Sequence, residues 1–120
     1  MTRLFVYGSL MSDQANHRYL ARARFVRVAR TEPRFTLLDL GAYPALQADG
    51  STSVRGEIYE VDAATLATVD RLEGDPNYYR RTPIALRGGA IVEAYVLPFD
   101  GAERYASIDC GNWRNRCESK

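Results

Sequence analysis

The stretch Val54-Arg55-Gly56-Glu57-Ile58-Tyr59-Glu60-Val61-Asp62-Ala63-Ala64-Thr65-Leu66-Ala67-Thr68-Val69-Asp70-Arg71-Leu72-Glu73-Gly74 changes its hydrophobic period half-way along. Val54, Gly56, Ile58, Tyr59 and Val61 give the first part the near-alternation and the β-branched and aromatic content of a strand. Asp62 then offers a side-chain oxygen suited to an N-cap. Leu66, Val69 and Leu72 follow at helical spacing, which predicts a helix over 63–72 with one buried face. That helix ends at the turn Gly74-Asp75-Pro76-Asn77 and delivers Glu73 beside it.

Working toward the N-terminus, residues 3–8 read as a first strand that breaks where Gly8 lets the backbone turn. Residues 13–20 suggest a short helix with Ser12 or Asp13 as its N-cap. Strands are expected over 24–29 and 35–39, divided by the Glu32-Pro33 turn, and Gly41-Ala42-Tyr43-Pro44 is a loop signal. Toward the C-terminus, residues 78–86 and 91–98 should pair antiparallel across Gly88-Gly89. The tail over 101–120 is polar and aromatic, with Trp113 as its large anchor, and should end in a turn or short helix. Several short strands with two interleaved helices predict an α+β fold, a small mixed β-barrel with flanking short helices, in one domain over 1–120.

Composition narrows the function classes. Hydrophobic residues make up 46% and charged residues 26% of 120 residues, which are ordinary globular values. Sixteen Lys and Arg against fifteen Asp and Glu leave a net charge of +1, so nucleic acid is not expected as a partner. The arginines between Arg18 and Arg34 read as a solvated face. No apolar run approaches the ~20 residues that span a bilayer, and the start lacks the apolar core of a secretory signal, so a cytoplasmic protein without a membrane partner is expected. Cys110 and Cys117, with a single His in the chain, are too few ligands for structural zinc, and two free thiols are expected in a reducing cytosol.

Two segments carry chemistry. Leu4-Phe5-Val6-Tyr7-Gly8-Ser9-Leu10 is a strand that opens into a glycine loop, where free backbone N–H groups can receive a carboxylate or a developing oxyanion. Gly8 there allows a ligand to approach the backbone without a Cβ in the way. Glu73, at the end of an amphipathic helix, is the leading candidate for a general acid/base, although alone it would read as a surface carboxylate. Glu57 is the rival carboxylate and is expected to face solvent or pair with an arginine. Ser9 is not placed as a nucleophile, since the chain has no Gly-x-Ser-x-Gly elbow and His17 has no evident orienting acid. His17 is read as a helix-surface residue or a hydrogen-bond partner of the loop.

Tyr7-Gly8-Ser9-Leu10, Asn16-His17, Gly56-Glu57-Ile58-Tyr59, Asp70-Arg71-Leu72-Glu73-Gly74 and Tyr79-Arg80-Arg81, in this order, resemble the gamma-glutamylcyclotransferase-like superfamily over residues 4 to about 98. The resemblance implies a β-barrel-based α+β fold in which the glycine loop and the glutamate face each other across a cavity. It implies a cyclisation, carried out with no cofactor or metal. A gamma-glutamyl small molecule attacks its own γ-carbonyl through its α-amine, releasing 5-oxoproline and an amine. Carried onto this chain, Glu73 is the catalytic acid/base, and Tyr7, Gly8, Ser9, Leu10, Tyr79 and Arg81 bind the substrate.

Met11-Ser12-Asp13 lacks the Lys-Gly that often follows the loop in the gamma-glutamylamine branch, and Asp109-Cys110-Gly111-Asn112-Trp113 looks like the tail of short bacterial members. A second function class stays open beside the enzyme: a non-catalytic binder of an amino-acid metabolite on the same fold.

Overall fold

The pleated, apolar segments of the chain gather into a mixed sheet whose strands are β1 (Thr2–Val6), β2 (Arg24–Arg30), β3 (Phe35–Asp39), β4 (Pro44–Thr52), β5 (Arg55–Val61), β6 (Arg80–Ala85), β7 (Ile91–Val96) and β8 (Ala106–Ser107). One α-helix, α1 (Ala63–Glu73), leaves β5 directly. The structure, a computed structural model, describes residues 1–75, 78–98 and 105–114. The strand order is β2-β5-β1-β7-β4-β3-β8, with β6 on the remaining side of β7. β6 and β7 pair antiparallel from Arg80↔Val96 to Ala85↔Ile91, as expected for the Gly88-Gly89 hairpin, whose glycines have φ of +93° and +98°.

The sheet curls toward a barrel without closing. Thr31 and Leu86 form a single bridge between the ends of β2 and β6, which brings the two flanks together at one point only. Inside lie Leu4, Phe5, Leu37, Leu38, Leu46, Ile58 and Val61, all essentially inaccessible to water. Gly56 belongs to this interior for a steric reason: a Cβ there would stand 2.6 Å from the Phe5 ring and 2.4 Å from the Val6 carbonyl oxygen.

One irregularity of the sheet creates the site. β6 takes one whole side of β7, so β1 and β4 share the other, β1 meeting it at Leu4↔Glu93 and β4 at Leu46↔Val96, both parallel. β1 leaves at Val6 just where β4 enters at Pro44. The phenol of Tyr7 spans the gap: it donates to the Tyr95 carbonyl at 2.6 Å and accepts from the Leu46 N–H at 3.2 Å. A side chain thus replaces main-chain bonds where two strands part.

The expected helix over 63–72 forms with Asp62 as N-cap, accepting from the Thr65 N–H at 2.7 Å, and Gly74 ends it in the left-handed conformation. Val69 is fully buried, but Leu72 is 39% exposed, so the apolar face turns away from the core over its last turn. The helix expected over 13–20 shrinks to one 3₁₀ turn, His17–Leu20. Ser12 does not cap it: its side chain turns to Glu57, its hydroxyl oxygen accepts from Arg114, and Asp13 takes a φ of +60°. β4 and β8 were not expected. Trp113 is buried as expected, while residues 101–104 and 115–120 of the tail lie outside the described residues.

The free-thiol expectation is corrected: Cys110 is disulfide-bonded, and Cys117, the one other cysteine in the sequence, lies outside the described residues. Among the described residues no helix is long and apolar enough to cross a membrane.

Candidate active site

At the parting of β1 and β4 lies a cavity of about 280 Å³. The loop Tyr7–Leu10 forms one wall, and Leu72 and Glu73 at the end of α1 form another. Tyr43 with Pro44 and Tyr78 with Tyr79 complete much of the rest, and Tyr95 lies beside Tyr7. The structure therefore brings together Glu73, Tyr7, Gly8, Ser9, Leu10 and Tyr79 from the sequence-derived set.

The loop is held through its carbonyl groups. The Gly8 carbonyl accepts from the Met11 N–H, the Ser9 carbonyl from the Asn16 N–H at 2.8 Å, and the Leu10 carbonyl lies 3.0 Å from His17 Nδ1. Asn16 also donates its side-chain amide to the Ser9 hydroxyl. The N–H groups of Gly8, Ser9 and Leu10 have no acceptor among the described residues, which leaves three donors for an anionic or carbonyl oxygen. Gly8 itself is required by a neighbour rather than by a ligand, since a Cβ there would sit 2.6 Å from the Pro44 ring.

Glu73 faces this loop in an apolar and phenolic setting. No donor among the described residues reaches its carboxylate, and burial alone pushes it up from 4.5 to about 7. Its phenolic neighbours stay protonated. Burial raises Tyr7 and Tyr79 well above the usual phenol range, the negative charge of Glu73 adds to both shifts, and Tyr95 rises chiefly by burial and by its bond to Asp70. The Tyr79 hydroxyl donates to the Pro44 carbonyl at 2.7 Å, and its ring meets Tyr78 edge-on at 4.9 Å.

Arg81 does not line the cavity. Its guanidinium holds Asp70 in a fork, Nε to Oδ1 at 2.9 Å and Nη2 to Oδ2 at 3.2 Å, and its third nitrogen pairs with Glu93. A cation already shared by two carboxylates is poorly placed to clamp a third. The expectation that Arg81 contacts substrate is replaced by one in which it contacts the helix that carries Glu73.

Of the two outcomes expected for Glu57, facing solvent or pairing with an arginine, the structure has the second. Glu57 is 5% exposed and accepts four bonds: from the Ser12 N–H and hydroxyl at 2.8 Å each, from the Tyr59 hydroxyl at 2.9 Å and from Arg114 Nη2 at 2.9 Å. Burial alone would raise it, yet these donors together hold it below the ordinary carboxylate range. Its arginine comes from the far end of the chain.

Comparison with known proteins follows the same lines. Residues 4–115 match the family model described as "Gamma-glutamyl cyclotransferase, AIG2-like". The chain belongs to this family. A Vibrio cholerae relative is 41% identical over 114 residues, 94% of this chain and 96% of its own. The solution structure of protein ytfP from Escherichia coli superposes with a TM-score of 0.74 at 32% identity, covering 96% of this chain and 98% of that one. An AIG2-like protein from Mus musculus superposes with a TM-score of 0.78 at 29% identity, covering 86% and 81%.

As a gamma-glutamylcyclotransferase-like chain, the molecule also uses residues that the sequence reading passed over. Tyr43 and Pro44 appeared only as a loop signal, and Tyr95 only as an unnamed position of the strand expected over 91–98, yet all three line the cavity. Their roles depend on β4 meeting β7, a contact between segments fifty residues apart that no local pattern announces. Asn16 did carry a signal, through its place in the ordered set of motifs.

Proposed function

We propose that this protein is a cyclotransferase that converts a gamma-glutamyl amide or amine into 5-oxoproline and a free amine by intramolecular aminolysis, with Glu73 as general acid/base. The observation that carries this reading is a single carboxylate, raised to about 7 and without an ion pair among the described residues, across a cavity from a loop with three N–H donors that have no acceptor among those residues. Family membership supports it.

The residues divide the work as the chemistry requires. The α-amine nitrogen of the substrate bonds to its own γ-carbonyl carbon and loses a proton to the Glu73 carboxylate. The bond from that carbon to the departing nitrogen then breaks as Glu73 returns the proton to the leaving amine. An α-amine titrates near ~8 and Glu73 near 7, so the transfer is almost balanced in energy, whereas an ordinary glutamate would be a far weaker base. The N–H groups of residues 8–10 receive either the α-carboxylate or the oxyanion formed at the γ-carbonyl. Holding the amine over the carbonyl supplies up to ~7 kcal/mol in favourable intramolecular cases. Tyr79 shapes the pocket through its ring, since its hydroxyl is already committed.

The test is release of 5-oxoproline from a panel of gamma-glutamyl amides, amines and dipeptides. Turnover of at least one compound is expected, with Glu73→Gln lowering kcat by about 10³-fold while the protein stays folded. Retained turnover in Glu73→Gln would remove the shuttle. Saturable binding of these compounds without any turnover would favour the carrier or sensor reading instead.

A further inference from the structure

The end of α1 is tied down by a cluster that lies behind the cavity. Arg81 on β6 grips both oxygens of Asp70, one helical turn before Glu73, and also pairs with Glu93 on β7. The Tyr95 hydroxyl donates to Asp70 Oδ1 at 2.6 Å, and the Arg81 N–H donates to Asp75 Oδ1 at 2.7 Å, just beyond the helix. Tyr95 in turn gives its carbonyl to Tyr7, the first residue of the cradle. A continuous chain of contacts therefore joins Arg81, Asp70, Tyr95 and Tyr7, and it touches the shuttle on one side and the loop on the other. We propose that Arg81 is a positioning residue for Glu73: it fixes the last turn of α1 to β6 and β7 and screens the charge of Asp70 from the cavity.

Geometry makes Asp70 the relevant handle. Side chains three apart on a helix are neighbours, with Cβ atoms ~5–6 Å from each other, so Asp70 and Glu73 share a face. The phenols that line the cavity with Glu73 are Tyr7 from the loop, Tyr43 before β4, Tyr78 and Tyr79 before β6 and Tyr95 from β7, and behind it lies the ionic cluster of Asp70, Asp75, Arg81 and Glu93. Tyr7, Tyr78, Tyr79 and Tyr95 are neutral over the working pH range. Among the described residues of the cluster, the carboxylates of Asp70, Asp75 and Glu93 outnumber the one guanidinium of Arg81. Removing Arg81 would leave those anions unscreened and make ionisation of Glu73 harder. Neutralising Asp70 would remove the anion that shares the helix face of Glu73 and make that ionisation easier.

This inference rests on Glu73 being the shuttle, but its test can be read without turnover. Glu73 is followed by carbon-13 NMR of its carboxyl group across pH in the full chain, alongside kcat and KM on whichever gamma-glutamyl compound is turned over. Arg81→Met should move the titration of Glu73 upward by about one pH unit, and Asp70→Asn should move it downward by a similar amount. Arg81→Met should lower kcat by about tenfold or more with KM within about twofold, because misplacing the shuttle harms the chemical step rather than ground-state binding. Arg81→Lys keeps the charge and loses the fork, so kcat should fall several-fold with the titration in place. If Arg81→Met does not fold, the downward shift in Asp70→Asn and the behaviour of Arg81→Lys decide the matter.

Titrations that stay put in both charge variants, or move the same way, overturn the proposal. So does a raised KM with intact kcat in Arg81→Met, which would return Arg81 to substrate binding. A protein with no turnover but opposite NMR shifts would keep this inference and sink the cyclotransferase reading.

Discussion

Glu57 and Glu73 are separated by one strand and one helix in sequence, yet the fold treats them in opposite ways. Glu57 is buried among four donors and held in its charged form below the ordinary carboxylate range. Glu73 is turned to a cavity of rings and aliphatic carbons, finds no donor among the described residues, and rises to about 7. The difference lies in partners more than in depth, because burial pushes both upward and only Glu57 has hydrogen bonds that outweigh it. One carboxylate has been used to hold structure, and the other has been left available for proton transfer.

The largest effect should come from removing the satisfied carboxylate. Glu57→Leu strands the Ser12 N–H, the Tyr59 hydroxyl and Arg114 together, and should destabilise the protein by about 3 kcal/mol, or roughly 12 °C in Tm. Because Glu57 titrates lower in the folded chain than in the unfolded one, its contribution is present above the unfolded carboxylate pKa and lost as pH falls through the folded value. The variant should accordingly fall short of the wild type most at neutral pH, with the gap narrowing in acid. A variant of unchanged Tm at neutral pH would show that the four bonds do not hold the loop.

Removing the unsatisfied carboxylate should do the reverse. The pKa of Glu73 is raised on folding, so its neutral form is preferred by the fold, and stability is lost as pH climbs from about 4.5 through about 7. Glu73→Gln removes that loss. It should be more stable than the wild type by about 2 kcal/mol at pH 8 and equal to it below the unfolded pKa, as read by urea unfolding at the two pH values. Stabilisation alongside loss of turnover is the pattern expected of a residue kept for function. Destabilisation at pH 8 would mean that Glu73 has a partner.

Much of this contrast is legible in the sequence, and the part that is not has a common cause. Asp62, Leu66 and Val69 announced α1 because capping and helical period are local, and Gly88-Gly89 announced the β6–β7 hairpin for the same reason. The ordered motifs singled out Glu73 and residues 7–10, which the fold brings to one cavity. Glu57 pairs with an arginine, one of the two outcomes expected, but its burial and the identity of that arginine were not legible, because Arg114 closes on it across fifty-seven positions; Arg81 was misjudged for the same reason, turning to α1 and β7 rather than to the cavity. The helix expected at 13–20 failed on the same point, since Ser12 turns its side chain to Glu57 and its hydroxyl oxygen, the acceptor a cap would use, is taken by Arg114. Period and capping report on neighbours in sequence, whereas satisfaction of a buried charge depends on the whole topology.

A third glutamate supplies the smallest effect and the sharpest control. Glu60, next to the same strand's buried residues, pairs with Arg3 at 3.2 Å and with Arg24 at 2.9 Å, and Arg24 holds it below the ordinary carboxylate range despite some desolvation. By ion-pair count it outranks Glu57, which has Arg114 alone among its four donors. Both arginines of Glu60 are more than half exposed, however, so water and salt compete for every contact. Glu60→Gln should leave Tm unchanged within experimental scatter at physiological ionic strength, while Glu57→Leu lowers it sharply. If Glu60→Gln proved as damaging, then charge pairing alone would explain the lowered pair of carboxylates, and the backbone and hydroxyl donors around Glu57 would lose their special place. The predicted inequality instead makes burial with full donor satisfaction the property that separates a structural carboxylate from a surface one, and burial without it the property that marks Glu73.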